Sequence, residues 1–246
     1  MADNKSTIIT YSVLVGLSPL VPVPFVDDWL MDYFRRRMVR SLVASHGQEF
    51  DSKTISLLAD ERGGKGCLIG CLSMLIFYPL KKLFRKVFYF LEWKRAVDLT
   101  SHTYHFGYLL NFALRDGFLQ SDMQNLDAVR NIIDDVCNDT PIKPIESVVS
   151  KTFRQTKSLI FSGVEILESA FRRLKRKPTE DDVSVVVESV EDEEKEKLEG
   201  ITSRLAKAIS NIPEEHFKEM RDNFIVRMKA LEQQSPVALE SEQVNP

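Results

Sequence analysis

From Ile145 to Leu174 apolar residues return every three or four positions: Ile145, Val148, Val149, Phe153, Leu159, Ile160, Val164, Leu167, Phe171 and Leu174. That spacing follows the 3.6-residue turn of an α-helix and gathers the series on one face, which a strand with its two-residue period cannot do. It predicts a single helix over residues 144–177, about 50 Å long. The segment ends in Arg172, Arg173, Lys175, Arg176 and Lys177, cations placed where the carbonyl end of the helix dipole favours them. The stripe is wider than a strict coiled-coil seam, so it suits the central helix of an intramolecular bundle better than a dimerising arm.

The same period runs through most of the chain. A helix beginning near Ser6 should stop at Leu17, because Pro19, Pro22 and Pro24 lack backbone donors and push their predecessors out of the helical region. Asp27 can cap the next helix, with Leu30, Phe34, Met38 and Leu42 on one stripe and Gly47 as its stop. Shorter helices follow over residues 52–61, 93–116 (stopped by Gly117) and 122–137. Residues 200–233 resume the period with a break at Pro213. The fold class is therefore all-α, a helical bundle with short apolar membrane-associated helices and one long amphipathic helix.

Charge divides this pattern. Residues 1–177 carry 25 Lys and Arg against 19 Asp and Glu, whereas residues 178–246 carry 8 against 17. A basic body attracts phosphate, on lipid or on nucleic acid. Dense apolar residues between the basic patches favour lipid, and with the acidic tail they argue against nucleic acid. Ten of the acidic residues fall in 178–199, which reads as an acidic flexible linker. The expected organisation is a membrane-associated helical region over 1–120, a helical arm over 121–177, the linker over 178–199, a C-terminal helical segment over 200–233 and a disordered tail over 234–246.

Two uncharged runs bear on the membrane. Residues 6–26 hold no charge for 21 positions, but the prolines leave a helix of only about 18 Å, too short to span a bilayer. Residues 66–80 are also uncharged, and cations flank them on both sides, so charge bias gives no direction of crossing. Segments that dip into or lie on the interface fit better. The candidate membrane-binding residues are the cations Arg35, Arg36, Arg37, Arg40, Lys81, Lys82, Arg85 and Lys86, with the aromatics Phe84, Phe88, Phe90 and Trp93 beside them. The alternative is that the aromatics form the core of a soluble bundle.

Motifs for chemistry are sparse. Asp98, His102 and His105 fall at i, i+4 and i+7 and can share a helical face as metal ligands, although the spacing matches no zinc signature and an Asp–His pair that merely supports the helix fits it as well. Cys67 and Cys71 read as core thiols. Gly63-Gly64-Lys65-Gly66 lacks the spacing of a phosphate loop, and no G-x-S-x-G elbow is present. No catalytic residue, metal or cofactor is expected. The odd count of three cysteines, without a recognisable cleavable signal, points to a reducing cytosol and the cytoplasmic face of a membrane.

Residues 16–47, from Gly16-Leu-Ser-Pro-Leu-Val-Pro-Val-Pro-Phe-Val-Asp-Asp-Trp-Leu through Arg37-Met38-Val39-Arg40 to Ala44-Ser-His-Gly47, resemble the YcjF-like and EcsC-like bacterial membrane-associated helical proteins. In those an apolar helix leads through a proline turn into an amphipathic helix that ends at glycine. Phe25 stands where they often carry a glycine in the turn. The resemblance implies membrane association and a non-enzymatic helical module.

The expected function is a membrane-associated scaffold or adaptor. The apolar runs insert shallowly, basic clusters hold headgroups, and Phe217, Met220, Phe224, Met228 and Leu231 recruit a protein partner. Homo-oligomers are compatible with this. The alternatives are a lipid-binding or membrane-perturbing effector of pore type, and a metal-dependent protein using Asp98, His102 and His105.

Overall fold

The computed structural model describes residues 4–23, 26–60, 85–120, 126–173 and 179–234. The described residues are helical with no strand: α1 (Asn4–Leu17), a 3-10 turn (Ser18–Leu20), α2 (Val26–Ser45), α3 (Ser52–Ala59), α4 (Arg85–Arg115), α5 (Leu126–Asp139), α6 (Lys143–Gln155), α7 (Lys157–Arg173), α8 (Glu180–Ile209) and α9 (Glu214–Gln234). Several ends fall where backbone chemistry requires. Pro19 closes α1, and Gly47 and Gly117 take φ of 68° and 77° just past α2 and α4, the left-handed conformation that glycine adopts without a Cβ clash.

α1 is the centre of the bundle, packed against α2, α4 and α8. It runs antiparallel to α4. Near its start, Asn4 Nδ2 donates to Asn111 Oδ1 at 2.7 Å, and His46 Nε2 at the end of α2 lies 2.9 Å from the same oxygen. Near its end, a Cβ built on Gly16 would fall 1.8 Å from Thr100 Oγ1 and 2.7 Å from the Ala96 carbonyl oxygen, so only glycine lets the two backbones come this close. Ile8, Ile9, Val13 and Val15 are all buried. The expectation that this helix inserts into a membrane is thereby corrected, since its apolar side chains are already covered by protein.

Arg130 of α5 is buried against the carbonyl end of α3. Its Nε donates to the Leu58 carbonyl at 2.7 Å and its Nη2 to the Asp60 carbonyl at 2.6 Å. The guanidinium also pairs with Asp134 and lies 4.5 Å over the Phe106 ring. It satisfies acceptors that a helix end leaves open.

Two sequence expectations about the second half are corrected. The helix over 144–177 divides at Thr156, which leaves helical geometry at φ −108°, ψ 18° while its hydroxyl donates to the Thr152 carbonyl at 2.9 Å; such back-bonding bends or interrupts helices. Residues 178–199 are not a linker. Glu180 opens the helix that runs to Ile209, with Thr179 N and Oγ1 both donating to Asp182 Oδ2 at 2.7 Å in a capping box. Val183, Val186 and Val187 anchor that end in a second apolar cluster with Val21, Val26, Leu30, Met31, Phe34 and Phe171. Glutamate and lysine are good helix formers, so the charged middle of α8 propagates once both ends are held. The main core draws on α1 through α9, so it joins the regions expected over 1–120, 121–177 and 200–233.

Candidate functional site

The three consecutive arginines of α2 separate in the fold. Successive residues on a helix turn by about 100°, so Arg35, Arg36 and Arg37 cannot share one face. Arg35 is 8% exposed, which corrects its assignment to headgroups. Arg36 and Arg37 are half-buried; Arg37 Nη1 donates to the Tyr33 hydroxyl at 2.5 Å and its guanidinium lies 5.6 Å from that ring centre. Arg40 is exposed. Burial raises the carboxyl of neighbouring Asp32 above the usual range, with Arg36 and Arg35 pulling it back.

Lys81, Lys82 and Phe84 lie outside the described residues, as do Cys67 and Cys71 and the 66–80 run. Arg85, Lys86 and Phe88 belong to the first turns of α4, their side chains also outside the description. Just beyond them Phe90 and Leu91 are 66% and 53% exposed. Trp93, almost a turn further on, is half-buried between Phe153 edge-on at 6.0 Å and Phe161 stacked at 6.3 Å. It is a packing residue of the α4, α6 and α7 junction, and its contact with the core limits what it can offer a membrane.

Asp98, His102 and His105 do not converge. His102 is exposed and His105 fully buried. His105 faces His216 of α9, with the Nε2 atoms 3.1 Å apart, so one neutral ring donates its N–H to the other. This pairing was not legible in the chain, because 111 residues separate the two histidines. Burial, then His216 and His102, press the His105 pKa down to about 3, and burial also lowers that of His216. Asp98 shifts upward, chiefly through burial and then through Glu146. Among the described residues no group of three or more His, Cys, Asp or Glu is arranged to hold a metal ion. Cys137 is buried, and its thiol is pushed up to about 12 by burial and then by Asp134, which keeps it protonated and unreactive.

The residues expected to recruit a partner serve the fold instead. Phe217, Met220, Phe224 and Met228 are buried in the main core and Leu231 packs against it. Phe217 meets Tyr104 and Tyr108, and Phe224 meets Phe112 and Phe118 edge-on. Arg221 binds the Tyr108 hydroxyl and Glu214, and Arg227 binds Asp139. A short amphipathic helix covers the nearest apolar surface, and here α4 and α5 supply it.

One feature that sequence reasoning missed is a cavity of about 330 Å³ between α1, α2, α7 and α8. Thr7, Thr10, Leu14 and Leu17 of α1 form one wall, Leu30 and Phe34 of α2 another, and Gly163, Val164 and Leu167 of α7 a third. Its advance signal was the recurrence of hydroxyls at Ser6, Thr7 and Thr10 in the first half of α1. No family model, no curated protein and no solved structure matches the chain.

Proposed function

We propose that this protein is a non-enzymatic helical scaffold that attaches to an anionic membrane surface through the N-terminal end of α4. The observation that carries the reading is the exposure of Phe90 and Leu91 at consecutive positions. Single exposed apolar side chains are ordinary, but this pair follows Lys81, Lys82, Arg85 and Lys86 in the sequence, and an interface rewards aromatics beside cations. Each cation near an anionic surface contributes about 1 kcal/mol, and burying a Phe or Leu side chain roughly 1.5–3 kcal/mol. Either signal alone is marginal, and together they hold. The resemblance of residues 16–47 to membrane-associated helical families supports the same reading. No helix among the described residues is long and apolar enough to cross a membrane, and attachment at the surface does not call for one.

Vesicle flotation tests the proposal. Wild-type protein is expected to float with phosphatidylserine-containing vesicles at low salt and less at high salt. The double change Phe90→Ser with Leu91→Ser, and separately Lys81, Lys82, Arg85 and Lys86 all to Glu, are each expected to weaken binding by about tenfold or more. Wild type remaining in the aqueous phase at low salt, or both variants floating like wild type, would overturn it.

A further inference from the structure

We propose that the cavity between α1, α2, α7 and α8 is a binding site for a single-chain amphiphile with an uncharged polar head, the class of monoacylglycerols and long-chain alcohols. Protein interiors pack like organic crystals and leave few voids larger than a water molecule. A space of about 330 Å³ is instead of the size of a small-molecule site, roughly 300–1,000 Å³. Shape and chemistry together select the occupant.

The lining is graded from end to end. Because Asn4 of α1 meets His46 near the end of α2 through Asn111, α1 and α2 run antiparallel, and Ser41 comes beside Ser6 and Thr7. All three line the cavity, with Thr10 one turn further in. Ser6 is exposed, and Thr7, Thr10 and Ser41 are half-buried, so this hydroxyl-bearing end meets water. Towards the proline turn the lining becomes Leu14, Leu30, Phe34, Leu167 and Val187. Ser18 is the hydroxyl at that far end, and its proton is given to the Leu14 carbonyl at 2.9 Å. One end thus gathers Ser6, Thr7, Thr10 and Ser41, Tyr11 follows beside Thr10, and the other end is mainly apolar.

Among the described residues no charged side chain lines the space. A carboxylate or phosphate drawn into it would lose its hydration with no cation to replace it, whereas a hydroxyl or ester head can exchange hydrogen bonds with Thr7, Thr10 and Ser41. Gly163 contributes to the reach of the cavity, since it lines the wall without a side chain. α7 packs chiefly on α8, while α8 also packs on α6, α1 and α2, and the space lies where these helices meet beside the hydroxyl row of α1. Binding here does not depend on membrane attachment by α4.

The test uses the full chain carrying Phe90→Ser and Leu91→Ser, so that surface attachment does not contribute, titrated calorimetrically with monolauroylglycerol below its aggregation limit and with laurate as the charged counterpart at neutral pH. One molecule of monolauroylglycerol per chain is expected, with laurate at least about tenfold weaker. Thr10→Phe fills the cavity and should abolish binding. If that variant does not fold, as judged by circular dichroism, the double change Thr7→Val with Ser41→Ala decides: it keeps the volume, removes head partners, and should weaken monolauroylglycerol about fivefold to tenfold while leaving laurate nearly unchanged. Absence of saturable binding, equal affinity for laurate, or a folded Thr10→Phe that binds like the parent chain would each overturn the proposal. A cavity closed in solution by other residues of this chain would show itself as the first of these.

Discussion

α1 and the first turns of α4 look alike in sequence, each an apolar run close to a cluster of arginine or lysine, yet they meet opposite fates. Ile8, Ile9, Val13 and Val15 are enclosed by α2, α4 and α8, while Phe90 and Leu91 protrude. A helix apolar on most sides must be covered, and sequence does not say whether protein or lipid covers it. Coverage in this fold depends on how far the neighbouring helices reach. α4 is long, and its N-terminal end carries exposed apolar groups that α1, antiparallel to it, does not bury.

Substitutions that place polarity in each region break or sharpen that contrast. Val13→Asp should produce the largest effect, a loss of roughly 3–5 kcal/mol in denaturant unfolding, because it leaves a charge buried without a partner. A Val13→Asp protein as stable as wild type would mean that α1 is not enclosed.

Gly16→Val should cost about 2–3 kcal/mol through overpacking against α4. Adding Thr100→Ala should restore only part of it, since the Ala96 carbonyl oxygen still stands 2.7 Å from the new Cβ. Full rescue would show that the helices can part more easily than their spacing suggests.

His105 separates the buried half of α4 from its exposed end by pH. The unfolded chain takes up a proton below the ordinary histidine value of 6.5, while the native ring, held at about 3, does not. Its contribution to stability is therefore complete above 6.5 and drains as the pH falls towards 3, at about 1.4 kcal/mol per pH unit. Urea midpoints at neutral and mildly acidic pH should show this slope in wild type and a flatter one in His105→Gln, whereas His102→Ala, which removes only the smallest of the three causes, should keep most of it. The smallest change in stability belongs to Phe90→Ser with Leu91→Ser, within about 0.5 kcal/mol; a larger loss would show that these side chains support the fold rather than face a partner.

The all-α class and several helix ends were legible because their causes are local. Pro19 ends α1 whatever surrounds it, and Gly47 and Gly117 terminate α2 and α4 by accepting positive φ. The apolar stripe of α9 was legible as well, but not its destination, since Phe217 and Phe224 find their aromatic neighbours on α4 and in the segment that follows it. The break at Thr156 was hidden because Thr152 and Thr156 fit the apolar period, and only the hydroxyl bond between them distinguishes a bend from a continuous stripe. Of the candidate site, the cations and aromatics were visible in the chain. The division of Arg35, Phe90 and Trp93 into buried, exposed and packed was not.

Sequence alone determined the helical period, the proline and glycine stops and the split between a basic body and an acidic tail, because each depends on a residue and its near neighbours in the chain. Tertiary structure decided that α1 is a core helix, that Glu180–Ile209 is ordered by its valine anchors, that His105 meets His216, and that four helices leave a graded cavity between them. These depend on which surfaces meet across many residues of separation, and burial is a property of the pair of surfaces rather than of either one.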